Sequence, residues 1–338
     1  MRTLQRRLVR VAAAACSLLP AMVLLIAATP YQESEPRRSL SWDDLKVGQL
    51  LEIKAVRTGK DTIVASEIDV SDAKLEARIQ EVDVANSSLL VLGVKVIAGP
   101  ESKITNRDDV PIDFSTLQSG SYVVVKGGHQ DDGTVKARQI ILIKDKANSK
   151  VGLEGILQSK DQAQKKLDVL GITVVVTSDT RMLFEDFEPE RLAGWDDLKV
   201  GQLLDLKGVR TGEDTIAASE IEVSGAKLEG PIEDIDVANS SLHLLGLKVV
   251  VSPETMIMDR NKEPIDLSTL QSGSNVVAHG LLQNDGSVLA AGIIAKKAKT
   301  NGQVTIEGIL EGIDQNQNKL TVLGITVSVT ADTYIEFD

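Results

Sequence analysis

Cysteine and aromatic residues are the side chains that this sequence largely lacks. Its one cysteine, Cys16, stands near the N-terminus, so residues 31–338 contain no disulfide bond and no thiol for catalysis. Aromatic residues make up only 3% of the chain. The hydrophobic cores must therefore be filled by Val, Ile and Leu, which favour β-strands.

Negative charges outnumber positive ones, 49 to 37, which bears on nucleic acid as a partner. The formal net charge is −12, and it becomes more negative by four when the first 30 residues, with their four arginines, are set aside. Proteins that bind single strands need a basic groove and aromatic side chains on which bases stack. The sequence provides neither, so we expect no nucleic-acid partner.

The N-terminal segment has the pattern of an export signal. Four arginines precede the apolar run Val11–Ala28, and Ala27-Ala28 offers small residues for cleavage. This predicts a signal peptide at residues 1–30, a linker at 31–41 and a periplasmic or extracellular protein. The alternative is an uncleaved anchor in the inner membrane, since the eighteen residues 11–28, apolar except for Ser17 and Pro20, are at the short limit for a span.

The rest of the chain is a tandem duplication. Residues 42–185 align with 195–338 at a constant offset of 153, and the ten letters of Trp42–Leu51 recur unchanged at Trp195–Leu204. A weaker repeat of about 75 residues lies inside each copy, because Val91-Leu-Gly-Val returns as Val169-Leu-Gly-Ile. Complete modules are predicted at 75–145, 151–225 and 228–298, and half modules at 42–72 and 304–338.

Each module has the order of elements of an OB-type barrel. In the first complete copy, a strand and a polar turn precede the apolar run at residues 89–97, whose central Gly93 predicts a bulge or a sharp bend between two strands. Residues 113–120 suit one or two helical turns, and 129–133 carry an Asp-Gly hairpin signal between two further strands. We therefore predict an all-β chain of tandem OB-like barrels.

The module resembles the bacterial domain of unknown function family 5666. The resemblance covers nearly all of residues 42–338 and implies small exported β-barrels in tandem; it brings no catalytic residues. In the central module it is carried by Glu154-Gly155-Ile156, Leu167–Thr177, Thr180, Asp197-Leu198, Gly201, Gly208, Thr215, Ala218 and Ile221.

Three histidines and a calcium-like loop are the candidates for a metal site, and neither pattern supports one. His129, His243 and His279 do not recur in the other long repeat and form no ligand spacing, so we interpret them as surface substitutions. The segment 314–318 opens like a calcium loop, but Lys319 stands where the Gly should be. A polar hairpin turn is the better interpretation, and no metal or cofactor is predicted.

Paired aspartates are the candidates for catalysis. Asp43-Asp44 and Asp196-Asp197 recur beside a tryptophan, but each pair immediately precedes a predicted short helical turn, Leu-Lys-Val-Gly, where Asp caps free N–H groups. Trp42 and Trp195 are then expected to close one end of a barrel. The chain has no nucleophile elbow and no phosphate loop. We therefore predict no catalytic residues and no enzyme.

The predicted function is that of an exported, non-catalytic binding or spacer module of the cell envelope. Its expected partner is an envelope protein, a glycan or a second copy of the chain. The membrane enters only through residues 11–28, if these are uncleaved. The alternatives are a self-assembling fibre subunit and an accessory protein directed at glycan or peptidoglycan.

The half modules lead to three possible arrangements, since half a barrel exposes unpaired strand edges. Residues 304–338 and 42–72 could pair within one chain and close a ring of four barrels. They could pair between chains and form a filament. The chain could also be a truncated piece of a longer protein.

Overall fold

The computed structural model describes most of the chain beyond the predicted linker. Within these ranges every regular element is a β-strand or a three-residue 3-10 turn, so the chain is all-β, as predicted. No helix there is long and apolar enough to cross a membrane. The predicted signal peptide (1–30) and nearly all of the linker (31–41) lie outside the described residues. The described ranges are 40–59, 62–71, 73–143, 150–185 and 190–337.

The strands are numbered along the chain. In the N-terminal half they are β1 (Leu50–Arg57), β2 (Ile63–Val70), β3 (Ala73–Asp83), β4 (Ser88–Val91), β5 (Val94–Asn106), β6 (Tyr122–His129), β7 (Val135–Ile143), β8 (Lys150–Asp161), β9 (Lys166–Val169), β10 (Ile172–Val175) and β11 (Arg181–Phe184).

The remaining strands and the 3-10 turns follow the same order. The strands are β12 (Leu203–Arg210), β13 (Thr215–Val223), β14 (Ala226–Asp236), β15 (Ser241–Leu244), β16 (Leu247–Val250), β17 (Met256–Met258), β18 (Asn275–Leu282), β19 (Val288–Ala295), β20 (Gln303–Asp314), β21 (Lys319–Val322), β22 (Ile325–Ser328) and β23 (Tyr334–Phe337). The turns are Trp42–Asp44, Phe114–Thr116, Trp195–Asp197, Leu267–Thr269 and Thr300–Gly302.

Each module closes into a small barrel. In the second barrel, β3–β7, the strands pair in the cyclic order β3-β4-β5-β7-β6-β3, with β5 and β7 parallel. The third barrel (β8–β13) and the fourth barrel (β14–β19) repeat this order, with the third strand of each interrupted. A 3-10 turn stands between the third and fourth strands, so the predicted OB-type order is confirmed.

The Leu-Gly dipeptide of each module forms a hairpin turn. Leu92 and Gly93 have φ of 54° and 81°, and they join β4 to β5 as a two-residue loop. Such a loop with φ above zero at both positions matches the right-handed twist of the strands. The prediction of a sharp bend is therefore correct, whereas the bulge lies between Lys126 and Gly127. A Cβ on Gly127 would collide with the carbonyl oxygen of Lys136.

The first barrel is built from both ends of the described chain. β1 pairs antiparallel with β20 over seven residues, from Leu50 opposite Ile309 to Val56 opposite Gln303. β2 pairs with β1 and runs parallel to β22 and β23. These pairings give the closed strand order of the other barrels. Of the three arrangements considered for the half modules, the structure has the one in which they pair within one chain.

Two strand pairings join the barrels into two equivalent pairs. Residues 74–76 of β3 pair with 152–154 of β8, which joins the second and third barrels. The same positions 153 residues later, 227–229 of β14 and 305–307 of β20, join the fourth and first barrels. The duplication thus appears in the fold as two barrel pairs that are joined by the same strand pairing.

Side-chain contacts link one pair to the other. The ammonium of Lys46 donates to Gln130 Oε1 at 3.2 Å between the first and second barrels, and Lys199 donates to Gln283 Oε1 at 3.2 Å between the third and fourth. Each barrel therefore contacts two neighbours, and the four form a closed cycle.

The apolar cores follow the same division. One cluster fills the first and fourth barrels. The other fills the second and third barrels, and it extends into the fourth barrel through Met258, Leu281 and Ala291. The junction of the third and fourth barrels therefore has a continuous apolar core.

Candidate ligand-binding cavity

A cavity of about 750 Å³ lies where the first three barrels meet. The first barrel contributes residues 46–50 and Phe337 to its wall, and the second contributes 99–102 and 128–131. Residues of the third barrel, among them Gly155 and Gln158, complete the lining. This volume is within the range of small-molecule sites in proteins.

The cavity wall differs in chemistry from the equivalent junction between the third and fourth barrels. Offset by 153 residues, the fourth barrel carries apolar side chains on β18 and β19, of which Leu281 and Ala291 are buried in the core. The second barrel carries a glycine and three basic residues there. The four exchanged pairs are Gly128 and Leu281, His129 and Leu282, Lys136 and Leu289, and Arg138 and Ala291.

Two of the cavity's cations are held in defined positions. The Arg138 guanidinium lies over the Phe337 ring, so it contacts the edge of the first barrel. Lys46 is held by its hydrogen bond to Gln130. Lys136 is exposed and forms no ion pair within the described part of the chain.

His129 is half-buried in the wall, next to charges of both signs. Burial lowers its pKa, Lys46 acts in the same direction, and Asp131 and Asp132 oppose the shift. The imidazole is therefore neutral at neutral pH, with one nitrogen able to donate and one able to accept a hydrogen bond. His129 was expected to be a surface substitution, but its side chain is half-buried in the cavity wall.

The cavity also contains carboxylates, and one of them has a structural role. Asp44 Oδ2 accepts hydrogen bonds from the backbone N–H and the hydroxyl of Ser41, at 2.9 and 2.8 Å. Asp197 accepts from the backbone N–H of Gly194 at 2.7 Å in the third barrel. Asp44 and Asp197 therefore bind backbone N–H groups, as predicted, but they do so from the last position of the turns Trp42–Asp44 and Trp195–Asp197 and not ahead of a turn over the Leu-Lys-Val-Gly that follows. Trp195 is buried and Trp42 packs against the core of the first barrel.

A second cavity, of about 580 Å³, lies between the third and fourth barrels. Two of its charged residues, Lys227 and Glu229, form ion pairs with residues outside the cavity lining. Lys227 lies 3.4 Å from Glu307 and 3.4 Å from Glu52, and Lys299 lies 2.6 Å from Glu229. The half-buried His279 lines this cavity, opposite Lys227 in the strand register. These ion pairs connect β14 with the first barrel, and we assign them to the fold.

Three carboxylates converge in the first barrel. One oxygen from each of Glu67, Asp69 and Glu336 lies within 4.8 Å of the others. The ammonium of Lys54 is 2.8 Å from Glu67 and 3.3 Å from Asp69, so a cation of the protein already pairs with two of the three carboxylates. The third barrel has the same arrangement around Lys207, with a leucine in place of Glu336. We therefore assign the group to the fold.

Replacing Glu336 by leucine, the residue of the third barrel, is expected to stabilise the protein by about 1 kcal/mol at neutral pH. Glu336 is 5% exposed, and burial is the main cause that raises the pKa of Asp69, with the hydrogen bond that protonated Asp69 donates to Glu336 adding to it. A raised carboxyl pKa gives stability that is complete below the unfolded value and falls as pH rises through the folded value. The gain from Glu336→Leu should therefore shrink towards pH 3, as urea unfolding at both pH values would measure.

The reverse exchange is the control for this prediction. Leu183 stands at the equivalent position opposite Glu222, as Glu336 stands opposite Asp69. Leu183→Glu should destabilise at neutral pH and less in acid. Equal effects of Glu336→Leu at both pH values would show that its charge is not the cause.

The calcium-like loop is a hairpin turn in the structure. Asp314 Oδ1 accepts from the backbone N–H groups of Asn316 and Gln317, at 3.0 and 3.1 Å, between β20 and β21. Its counterpart Asp161 binds the turn after β8 in the same way. The interpretation as a turn is confirmed. His243 lies half-buried on β15, away from both cavities.

Sequence comparison gives five matches to one family. The family model described as Domain of unknown function (DUF5666) matches residues 23–69, 76–141, 154–222, 229–293 and 307–338. The three central matches correspond to the second, third and fourth barrels, and the outer two contain the halves of the first barrel. No curated protein matches the chain in sequence.

Proposed function

The chain belongs to the DUF5666 family of unknown function, and we propose that it acts as an exported, non-catalytic binding module whose ligand site is the cavity between the first and second barrels. The observation that carries the proposal is the cavity of about 750 Å³ with polar side chains at positions where the duplicated junction has apolar ones. A spacer would need only the packed form of this junction.

The absence of catalysis is part of the proposal. Asp44 and Asp197 cap turns, Asp314 shapes a hairpin, and Glu67 is paired with Lys54. General acid–base catalysis needs a carboxylate or histidine aimed at a substrate rather than at its own backbone. Export is proposed from the arginines and the apolar run of residues 1–30.

The two tryptophans give a direct test of ligand binding. Trp42 belongs to the 3-10 turn beside the cavity, and Trp195 is its equivalent in the third barrel. With Trp195→Phe, so that Trp42 alone reports, we expect a mixture of envelope glycan fragments, peptides and organic anions to change the emission. With Trp42→Phe, the same mixture should change it little. No change in emission or melting midpoint for either variant would remove the binding proposal.

A self-assembling fibre is the second candidate, through exchange of β1 and β2 between chains. The seven-residue pairing of β1 with β20 is long enough to hold two chains together if it forms between them. Light scattering over a wide concentration range separates the candidates. A constant one-chain mass supports the closed binding module, and growth into rods supports the fibre.

A further inference from the structure

The exchanges at the cavity change its charge as well as its shape. On β6 and β7 the second barrel has His129, Lys136 and Arg138 where the fourth barrel has two leucines and an alanine. Gln158 in the third-barrel wall replaces a glutamate, Glu311, of the first barrel. Three of the four exchanges add a positive charge or remove a negative one, and the fourth adds the neutral imidazole of His129, in a chain that is acidic overall.

The negative groups of the cavity do not cancel this difference. Asp44 and Glu101 have acidic counterparts, Asp197 and Glu254, at the other junction. Asp131, which stands in place of an asparagine, is the one acidic residue gained among the cavity residues, and its side chain is exposed. Compared with the other junction, this one has gained the permanent positive charges of Lys136 and Arg138 and the imidazole of His129. The only negative charge that it has gained is Asp131.

We propose that this cavity binds a small organic anion that carries carboxylate or phosphate groups, with Arg138 and Lys136 as its cationic contacts. Arg138 lines the cavity with its guanidinium against Phe337, and a guanidinium forms strong charge-assisted hydrogen bonds with both groups. Lys136 and Lys46 add charge at the cavity wall, and the neutral His129 can donate or accept. The inference rests on the proposed function and adds the chemical class of the ligand.

Titration calorimetry on the protein tests this proposal with two probes, inorganic phosphate and tricarballylate. The ionic strength is held constant with sodium chloride, and a neutral disaccharide is the third titrant. We expect one or both anions to bind with millimolar or tighter affinity. The two arms distinguish phosphate from carboxylate as the preferred group.

The main variant replaces three cavity residues of the second barrel by their counterparts in the fourth barrel. The triple change His129→Leu, Lys136→Leu and Arg138→Ala should weaken anion binding by at least about tenfold. Lys136→Gln, which leaves the wall intact, should weaken it about threefold. Lys95→Gln makes the same charge change at an exposed strand position outside the cavity and should leave the affinity unchanged. A matching melting midpoint for Lys136→Gln and Lys95→Gln shows that folding is not the cause.

The outcomes separate this inference from the proposed function. Anion binding that survives the triple change, or that Lys95→Gln weakens as much as Lys136→Gln, would overturn the inference by placing the anion elsewhere. Binding of the disaccharide without the anions would overturn the inference and leave the binding function standing. If none of the three probes binds, the inference is overturned, and the proposed binding function then depends on the Trp42 emission measurement.

Discussion

Replacing Ile306 by alanine is expected to lower the free energy of unfolding by about 3 kcal/mol. Ile306 is fully buried at the centre of β20, where it stands opposite Ile53 of β1 on one side and Leu228 of β14 on the other. Its removal leaves a cavity on the strand that the first and fourth barrels share. Urea unfolding followed by Trp42 emission, with Trp195→Phe as background, reports the loss.

The duplication supplies a matched variant for this prediction. Leu153 is 1% exposed and has the same position on β8, opposite Leu206 and Leu75. Leu153→Ala should therefore cost a similar amount, whereas Gln303→Ala at the exposed start of β20 should change stability by less than about 0.5 kcal/mol. An Ile306→Ala loss as small as the Gln303→Ala loss would contradict the packing described for β20.

Removal of residues 1–72 is expected to turn the protein into an associating species. The deletion takes away β1 and β2, and with them the partners of β20, β22 and β23. Val327 and Ile335, both buried in the closed barrel, then become accessible next to unpaired strand edges. Such edges and apolar faces promote association, so the mass measured by light scattering should rise with concentration.

A variant lacking only residues 1–39 is the control, since it keeps all strands of the first barrel. It should keep a one-chain mass over the same range. Adding a peptide of residues 40–72 to the shortened chain should restore that mass by strand complementation. A shortened chain that stays monomeric and as stable as the control would show that β1 and β2 do not complete the barrel.

The repeat pattern made most of the fold predictable. Identical segments 153 residues apart require equivalent structures, and alternation of apolar residues with turn signals gave the strand order of each module. The Asp44 cap and the Asp314 turn were predictable because both depend on local backbone groups. The Leu92-Gly93 loop was placed correctly, but a bulge could not be distinguished from a hairpin because one glycine serves either.

The pairing of barrels and the cavity were not predictable in the same way. Nothing in residues 74–76 alone shows that β3 pairs with β8, because that pairing depends on long-range contacts between modules. Taken alone, His129 looks like a surface substitution in a repeat, and Lys136 and Arg138 belong to no recognisable motif. A signal was present in the sequence, since His129, Lys136 and Arg138 each replace an apolar residue of the other long repeat by a basic one. Their common location depended on the register of β6 with β7.

A cysteine pair across the junction of the two ends tests the central claim most directly. Val56 of β1 stands opposite Gln303 of β20, and cross-strand neighbours are close enough for a disulfide bond. In a chain lacking residues 1–39, and thus Cys16, Val56→Cys with Gln303→Cys should oxidise to a single species of one-chain mass at every protein concentration. Disulfide-linked dimers and longer ladders, growing with concentration, would show that the ends pair between chains and that the barrels do not close within one.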